Sequence, residues 1–252
     1  MLKINQYIKV ASLDEANDLL KKNRNNHIIG GMMWLKMQDR TINCAIDLSE
    51  LHLNTIEESE DEFKIGCMTS LRDIETHEGL NQTFHQLLKN SVKDIVGVQF
   101  RNMATLGGSI YSRFGFSDIL TALLVLDTYV ILHQQKPIPL SEYINQPYRK
   151  DLLTHIIIKK ETVKPVFMAV RKSATDLSVL NLALSKGKQW RLAIGSRPKK
   201  AILIQGNELN DLVKQLHNLS FEDNFRASKA YREHLAEVLF ERAAQQVEDI
   251  QC

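Results

Sequence analysis

Two pairs of adjacent glycines, Gly30-Gly31 and Gly107-Gly108, stand out in a chain of 252 residues with only 11 glycines. Glycine reaches backbone torsions closed to other residues, and its missing side chain lets a ligand approach the main chain. Gly107-Gly108 lies between an extended segment and an apolar helix, with the hydroxyls of Thr105 and Ser109 at either side. Consecutive exposed N–H groups in such a place can bind an anion such as a pyrophosphate. Gly30-Gly31 leaves a strand and can form a second such turn. Taken alone, a Gly-Gly pair is more often a tight turn with no ligand. Nearby side chains carry two readings each. Trp34 either covers a ligand or anchors a core. Tyr111, Phe114 and Phe116 either face a ligand ring or pack within a loop. Asp118, opening an apolar helix, is a natural N-cap and can also hold a ligand.

Other chemistries are disfavoured. With 32 basic and 30 acidic side chains, the formal net charge is +2. No clustered basic surface for nucleic acid follows from that balance. Cys44, Cys67 and Cys252 are far apart, with no CxxC or Cys/His cluster, so no iron–sulfur centre or structural zinc is expected within the chain. Any redox chemistry must then come from an organic cofactor. The N-terminus lacks an apolar export signal, and the most apolar stretch, Ile119 to Leu132, is too short to span a bilayer. No membrane association and a cytoplasmic location are expected.

The elements that must position these residues follow from periodicity. Ser12 with Glu15 makes a capping box, and Leu13, Ala16, Leu19 and Leu20 give the helix after it. Strands are expected at Ile8, at Ile28-Ile29 running into Gly30, at Ala45 to Leu48 and at Phe63 to Gly66. Helices are expected over Thr69–Glu75, Phe84–Val92 and Ile119–Leu126, with a strand at Tyr129–Leu132. A change of composition near Lys159 to Pro165 separates a second block. There, Val166–Val170, Arg191–Gly195 and Ala201–Ile204 read as three strands, Leu177–Leu184 as a helix, and Ser228–Val247 as a long amphipathic helix.

The stretch Arg101-Asn-Met-Ala-Thr-Leu-Gly-Gly-Ser-Ile resembles the signature RNxATxGGNI of the FAD-binding subunits of molybdenum hydroxylases, the xanthine dehydrogenase and carbon monoxide dehydrogenase flavoprotein family. The spacing to Ser117-Asp118 matches the family without a gap. Ile28-Ile-Gly-Gly-Met-Met-Trp-Leu occupies the place of its first FAD loop, AGGTDLL. Ala45-Ile-Asp-Leu-Ser, Phe63-Lys-Ile-Gly, Asp151-Leu-Leu-Thr, Arg171-Lys-Ser and Arg226-Ala-Ser-Lys-Ala-Tyr-Arg-Glu-His-Leu follow in the family's order, so the resemblance spans nearly the whole chain. It implies that FAD is held by Ile28, Ile29, Gly30, Gly31, Met32, Met33, Trp34 and Leu35 in the first loop. In the second segment it implies Thr105, Leu106, Gly107, Gly108 and Ser109, followed by Ser117 and Asp118, with Leu153 against the flavin and Lys172 reaching the cofactor. Three features depart from the pattern: Met32-Met33 stands for Thr-Asp, Ser109 for Asn, and the region after Lys172 is short, as in a divergent bacterial branch.

The implied fold is α+β, not a Rossmann fold, since the glycine spacing is not GxGxxG. A two-lobed FAD-binding domain of the vanillyl-alcohol-oxidase/PCMH type would cover residues 1–160, with lobes of about 1–55 and 56–160. A C-terminal domain over 161–252, with a three-stranded antiparallel sheet and helices, would follow. The implied partners are a small 2Fe–2S subunit and a large molybdopterin subunit, with NAD(P)+ or another acceptor receiving the electrons. The other readings are a stand-alone flavin oxidoreductase and a cofactor-free scaffold subunit.

Overall fold

The computed structural model describes residues 1–250, so the position of Cys252 lies outside the described residues. The first sheet is parallel. β1 (Lys3–Lys9) leads through α1 (Leu13–Lys22) to β2 (Asn26–Ile29), and β3 (Thr41–Asp47) lies between the two strands. Parallel strands need a crossover, which α1 supplies between β1 and β2, leaving room for β3 between them. The cap is half as expected. Ser12 Oγ accepts from the Glu15 N–H at 3.1 Å, but the Glu15 carboxylate accepts from the Ala11 N–H rather than from that of Ser12. Acidic Asp14 and Glu15 in the first turn and Lys21 and Lys22 in the last suit the helix dipole.

β4 (Ile56–Glu58) and β5 (Glu62–Gly66) begin a second, antiparallel sheet. A run of short helices follows: α2 (Leu71–Thr76), α3 (Glu78–Thr83), α4 (Leu87–Val92), α5 (Val98–Met103), α6 (Leu106–Tyr111) and α7 (Asp118–Leu124). β6 (Thr128–Leu132), β7 (Ile138–Pro139), α8 (Leu140–Tyr143) and β8 (Leu153–Lys159) complete it, in the order β4-β5-β8-β6-β7. Phe63, Ile65, Val130, Ile156 and Ile158 are fully buried between this sheet and the helices. The helix expected from Phe84 starts only at Leu87, because Phe84 closes α3 and Gln86 adopts a left-handed φ of 60°.

A third sheet, antiparallel, has the order β12-β11-β10-β9, built from β9 (Lys164–Val170), β10 (Leu180–Lys186), β11 (Trp190–Gly195) and β12 (Ile202–Gly206). It has four strands where three were expected. The three anticipated strands are present, and the fourth is the segment read as a helix, Leu177–Leu184, which forms β10 between β9 and β11. Its residues are buried on both faces from Leu180 to Ser185. A continuous apolar run of this length is compatible with either structure, and pairing on both sides selects the strand. α9 (Leu209–His217) packs on β12, and α10 (Lys229–Asp249) lies across β9 and β10. The buried face of α10 carries Leu235, Ala236, Leu239, Phe240, Ala243 and Val247, leaving Tyr231 outside. Arg232, only 1% exposed, donates from this helix to the carbonyls of Val179, Glu222 and Ala227.

Candidate functional site

The first glycine pair packs against the segment just before the second. A Cβ on Gly31 would lie 1.6 Å from the Met103 carbonyl oxygen, and one on Gly30 would lie 2.7 Å from Thr105 Oγ1. On the other side, a Cβ on Gly107 would lie 2.5 Å from the Cys67 carbonyl oxygen. None of the glycines has a positive φ, so these positions need glycine for close approach and not for unusual torsions.

The second glycine pair is not the open turn its sequence suggested. Thr105 N-caps α6, its Oγ1 accepting from the Gly108 N–H at 3.1 Å, and both glycines lie in the first helical turn. The Leu106 N–H donates to Thr69 O and the Gly107 N–H to Cys67 O, each at 2.8 Å, and the Ser109 N–H donates to Thr105 O. The amides expected to meet an anion here are therefore engaged within the protein. The first loop is the opposite. Among the described residues, no hydrogen bond is made by the N–H groups of Gly30, Gly31, Met32, Met33 or Trp34. Met32 there adopts a φ of 56°, a left-handed conformation that is uncommon for a side chain of this kind. Successive amides around a left-handed residue form a concave nest for anions.

These segments wall a cavity of about 370 Å³. The first loop contributes Ile28 and Gly30 to Leu35, and the second contributes Thr105, Gly108 and Ser109. Ser117, Asp118, Arg171, Asp176 and Leu177 close it from the side of the third sheet. A narrower cavity of about 110 Å³ adjoins it, sharing Ile28, Gly30, Thr105 and Gly108, and is lined also by Gly107, Tyr148 and Leu153. Ile29 and Leu106 are buried and line neither space. Lys172 also lines neither. It is exposed, with Nζ 3.4 Å from Phe225 O, while its neighbour Arg171 faces the cavity.

Aromatic rings form one side of the larger cavity. Trp34 meets Phe100 and Phe116 edge-on, each at 5.7 Å, and Phe114 stacks on Phe116 at 5.0 Å. Tyr111 bridges the two spaces, its ring 5.4 Å from that of Tyr148 and its hydroxyl donating to Arg149 O. Asp118, 4% exposed, is gripped by the block that follows it in sequence. It accepts from Arg171 at one oxygen, and from Ser178 at 2.9 Å and Asn181 at the other. Burial holds its carboxyl above the usual carboxylate range, and the Arg171 charge and hydrogen bond, with the hydrogen bonds of Asn181 and Ser178, offset this only in part. Arg101, the first residue of the long motif, is structural: it pairs with buried Glu75 at 2.7 Å and donates to Ile95 O. Cys67, beneath Gly107, is an inert thiol that burial pushes up to about 12.

The site is therefore a long, partly apolar cleft with an anion nest at one wall and aromatic rings at another, the arrangement of a protein that holds a dinucleotide-like cofactor. Residues 2–162 match the family described as the FAD binding domain in molybdopterin dehydrogenase, and the chain belongs to that family. Among related proteins, it is 26% identical over 274 residues to the glyceraldehyde dehydrogenase medium chain of Sulfolobus acidocaldarius, covering 96% of this chain and 97% of that one. It is 24% identical over 270 residues to the xanthine dehydrogenase FAD-binding subunit of Escherichia coli O157:H7, covering 92% of each. In fold it resembles a chain of the reconstituted CO dehydrogenase from Oligotropha carboxidovorans, with a TM-score of 0.87 at 17% identity over 98% of both chains. A chain of quinoline 2-oxidoreductase from Pseudomonas putida 86 has a TM-score of 0.85 at 16% identity over 97% of both.

The residues present fit FAD. The unpaired amides of Gly30–Trp34 offer donors to a diphosphate, and the aromatic wall offers stacking to a flat ring. Among the residues that sequence reasoning missed, His27, Arg40, Tyr148 and Lys150 line one or both spaces. No local motif marks them. Arg40 precedes β3 and meets β2 through the ring of His27. No helix among the described residues is long and apolar enough to cross a membrane.

Proposed function

We propose that this protein is the electron-delivering flavin subunit of a xanthine dehydrogenase-like molybdenum hydroxylase. It works beside a small 2Fe–2S subunit and a large molybdopterin subunit in the cytoplasm. FAD, when bound, supplies the exchange between single electrons from the clusters and a hydride given to NAD(P)+ or another acceptor. The chain's own part is to bind, orient and shield it. The nest of Gly30–Trp34 would receive the diphosphate, and the Trp34, Phe114 and Phe116 side would face the ring. Residues 1–160 would hold the cofactor and 161–252 would close over it through Arg171 and Leu177. Neither solvent-accessible acid nor base is needed at the site for such a role, and none is assigned.

The observation that carries this reading is the row of unpaired amides in the first glycine loop, set in a cleft of a chain that belongs to an FAD-binding family. It is tested by the absorption spectrum of the purified protein before and after incubation with FAD. Flavin bands that persist through gel filtration, and fade in a folded Gly31→Val variant, are expected. A protein that stays colourless in the presence of its co-expressed partner subunits would overturn the assignment in favour of a scaffold.

A further inference from the structure

Beyond the two glycine segments, the cavity wall carries basic side chains with no acidic partner. His27 and Arg40 line the larger space, and His27 and Lys150 the smaller. Arg40 Nη2 lies 2.5 Å from His27 Nε2. A guanidinium has donors only, so Nε2 accepts and the imidazole keeps its proton on Nδ1. The ring is neutral: burial first, then the charges of Arg40 and Lys150, push it down to about 4.

Lys150 is committed elsewhere. Its ammonium donates to the carbonyls of Leu20, Asn23 and Asn26, at 3.2, 2.8 and 2.7 Å, which fastens the end of α1. Arg40 is not committed. Apart from His27 it reaches only Gln38 Oε1 at 3.4 Å, and no carboxylate lies within 4.0 Å of it among the described residues. The adjacent acid, Asp39, pairs with the N-terminal ammonium. A half-buried guanidinium with most of its donors unused therefore faces the same cleft as the unpaired amides of the first loop. The side chains of Met32 and Met33 in that loop carry no hydrogen-bond donor.

We propose that Arg40, oriented by His27, is a phosphate-binding residue of this cleft and takes up a phosphate of FAD, supplying the side-chain donors that Met32 and Met33 lack. This rests on the FAD reading above. His27 is a positioning residue: it holds the guanidinium through Nε2 and touches no ligand in this account. Arg40 contributes charge-assisted hydrogen bonds to the phosphate.

The test is a set of titrations on the full chain. Binding of FAD and of riboflavin, which has the same ring and no phosphate, is followed by flavin fluorescence in wild type, Arg40→Gln and Arg40→Lys. Thermal unfolding of each variant checks that it is folded. Arg40→Gln is expected to weaken FAD about ten- to a hundredfold, the usual worth of charged hydrogen bonds, while riboflavin binding is unchanged. Arg40→Lys should recover part of the loss. Inorganic pyrophosphate should compete with FAD in wild type and much less in Arg40→Gln. An FAD-to-riboflavin affinity ratio that stays the same in Arg40→Gln would overturn the proposal and leave the FAD reading standing. Pyrophosphate binding that depends on Arg40 in a chain that binds no FAD, even with its co-expressed partner subunits, would keep the subsite and sink the FAD reading. Binding of neither, again with those partners present, would sink both.

Discussion

At the residue scale, charge burial decides most of what can be said about Asp118. Its carboxylate and the Arg171 guanidinium are both less than a tenth exposed, and every oxygen has a protein donor. Breaking one partner of a buried pair leaves the other uncompensated, at a cost of about 3–5 kcal/mol. Asp118→Asn is therefore expected to lose roughly that much stability by urea unfolding at pH 7. A loss under about 1 kcal/mol would show that the pair is solvated in solution. Glu75 makes a second case. Burial alone raises its carboxyl, but hydrogen bonds from Arg101 and Arg72, with their charges, outweigh it and hold the group below the usual carboxylate range. A depressed acid contributes stability above its unfolded value, about 4.3, that is lost as pH falls through the folded value. Between pH 5 and 3, Glu75→Gln should lose less stability than wild type, as read from urea midpoints. Parallel slopes for the two proteins would contradict that role. The motif residues themselves were legible in the sequence, yet their duties were not. Arg101 serves Glu75 and Ile95, the Gly107 amide serves Cys67, and Asp118 is held by residues some 53 to 63 positions further on. Such partners depend on tertiary pairing that no local window contains.

At the element scale, Gly31 lets the loop after β2 touch the backbone at the end of α5, and Gly107 lets α6 touch the backbone just after β5. The space beyond each glycine separates their roles. Ala at Gly31 or Gly107 would drive Cβ into a carbonyl oxygen, at 1.6 and 2.5 Å, so backbone must move. Ala at Gly108 meets only Thr105 Oγ1, at 3.0 Å, and gains about 1 kcal/mol of helix propensity. Gly108→Ala should thus unfold within about 1 kcal/mol of wild type, while Gly31→Ala and Gly107→Ala should each lose at least about 2 kcal/mol. Equal losses for all three would mean that conformational freedom, not contact, sets these positions. Local signals were good guides where they were local: Ser12 and Ser228 cap the helices their sequences announce. They failed at Leu177–Leu184, whose apolar run suits a helix or a central strand. The outcome is set by β9 and β11 pairing with β10 from either side.

At the scale of the whole molecule, the cleft has no single owner. Its walls come from the loop between β2 and β3 of the first sheet, from the α5–α7 region between β5 and β6 of the second, and from the segment between β9 and β10 of the third. A ligand that touches all three walls stabilises their relative placement together with its own site, because binding to the folded form alone adds RT ln(1 + [L]/Kd), about 2.7 kcal/mol at a hundredfold excess over Kd. The exposed state of the cleft should then be the locally labile one, with unpaired amides at Gly30–Trp34 exchanging readily. Hydrogen exchange with and without FAD follows this directly. Added FAD is expected to slow exchange in residues 28–37, 104–118 and 171–177 together, with the strands of the third sheet far from the cleft unchanged. Protection of the first loop alone would mean that the cofactor rests on one wall. In that case the grip of Arg171, Ser178 and Asn181 on Asp118 would join the two parts of the chain without responding to what lies between them.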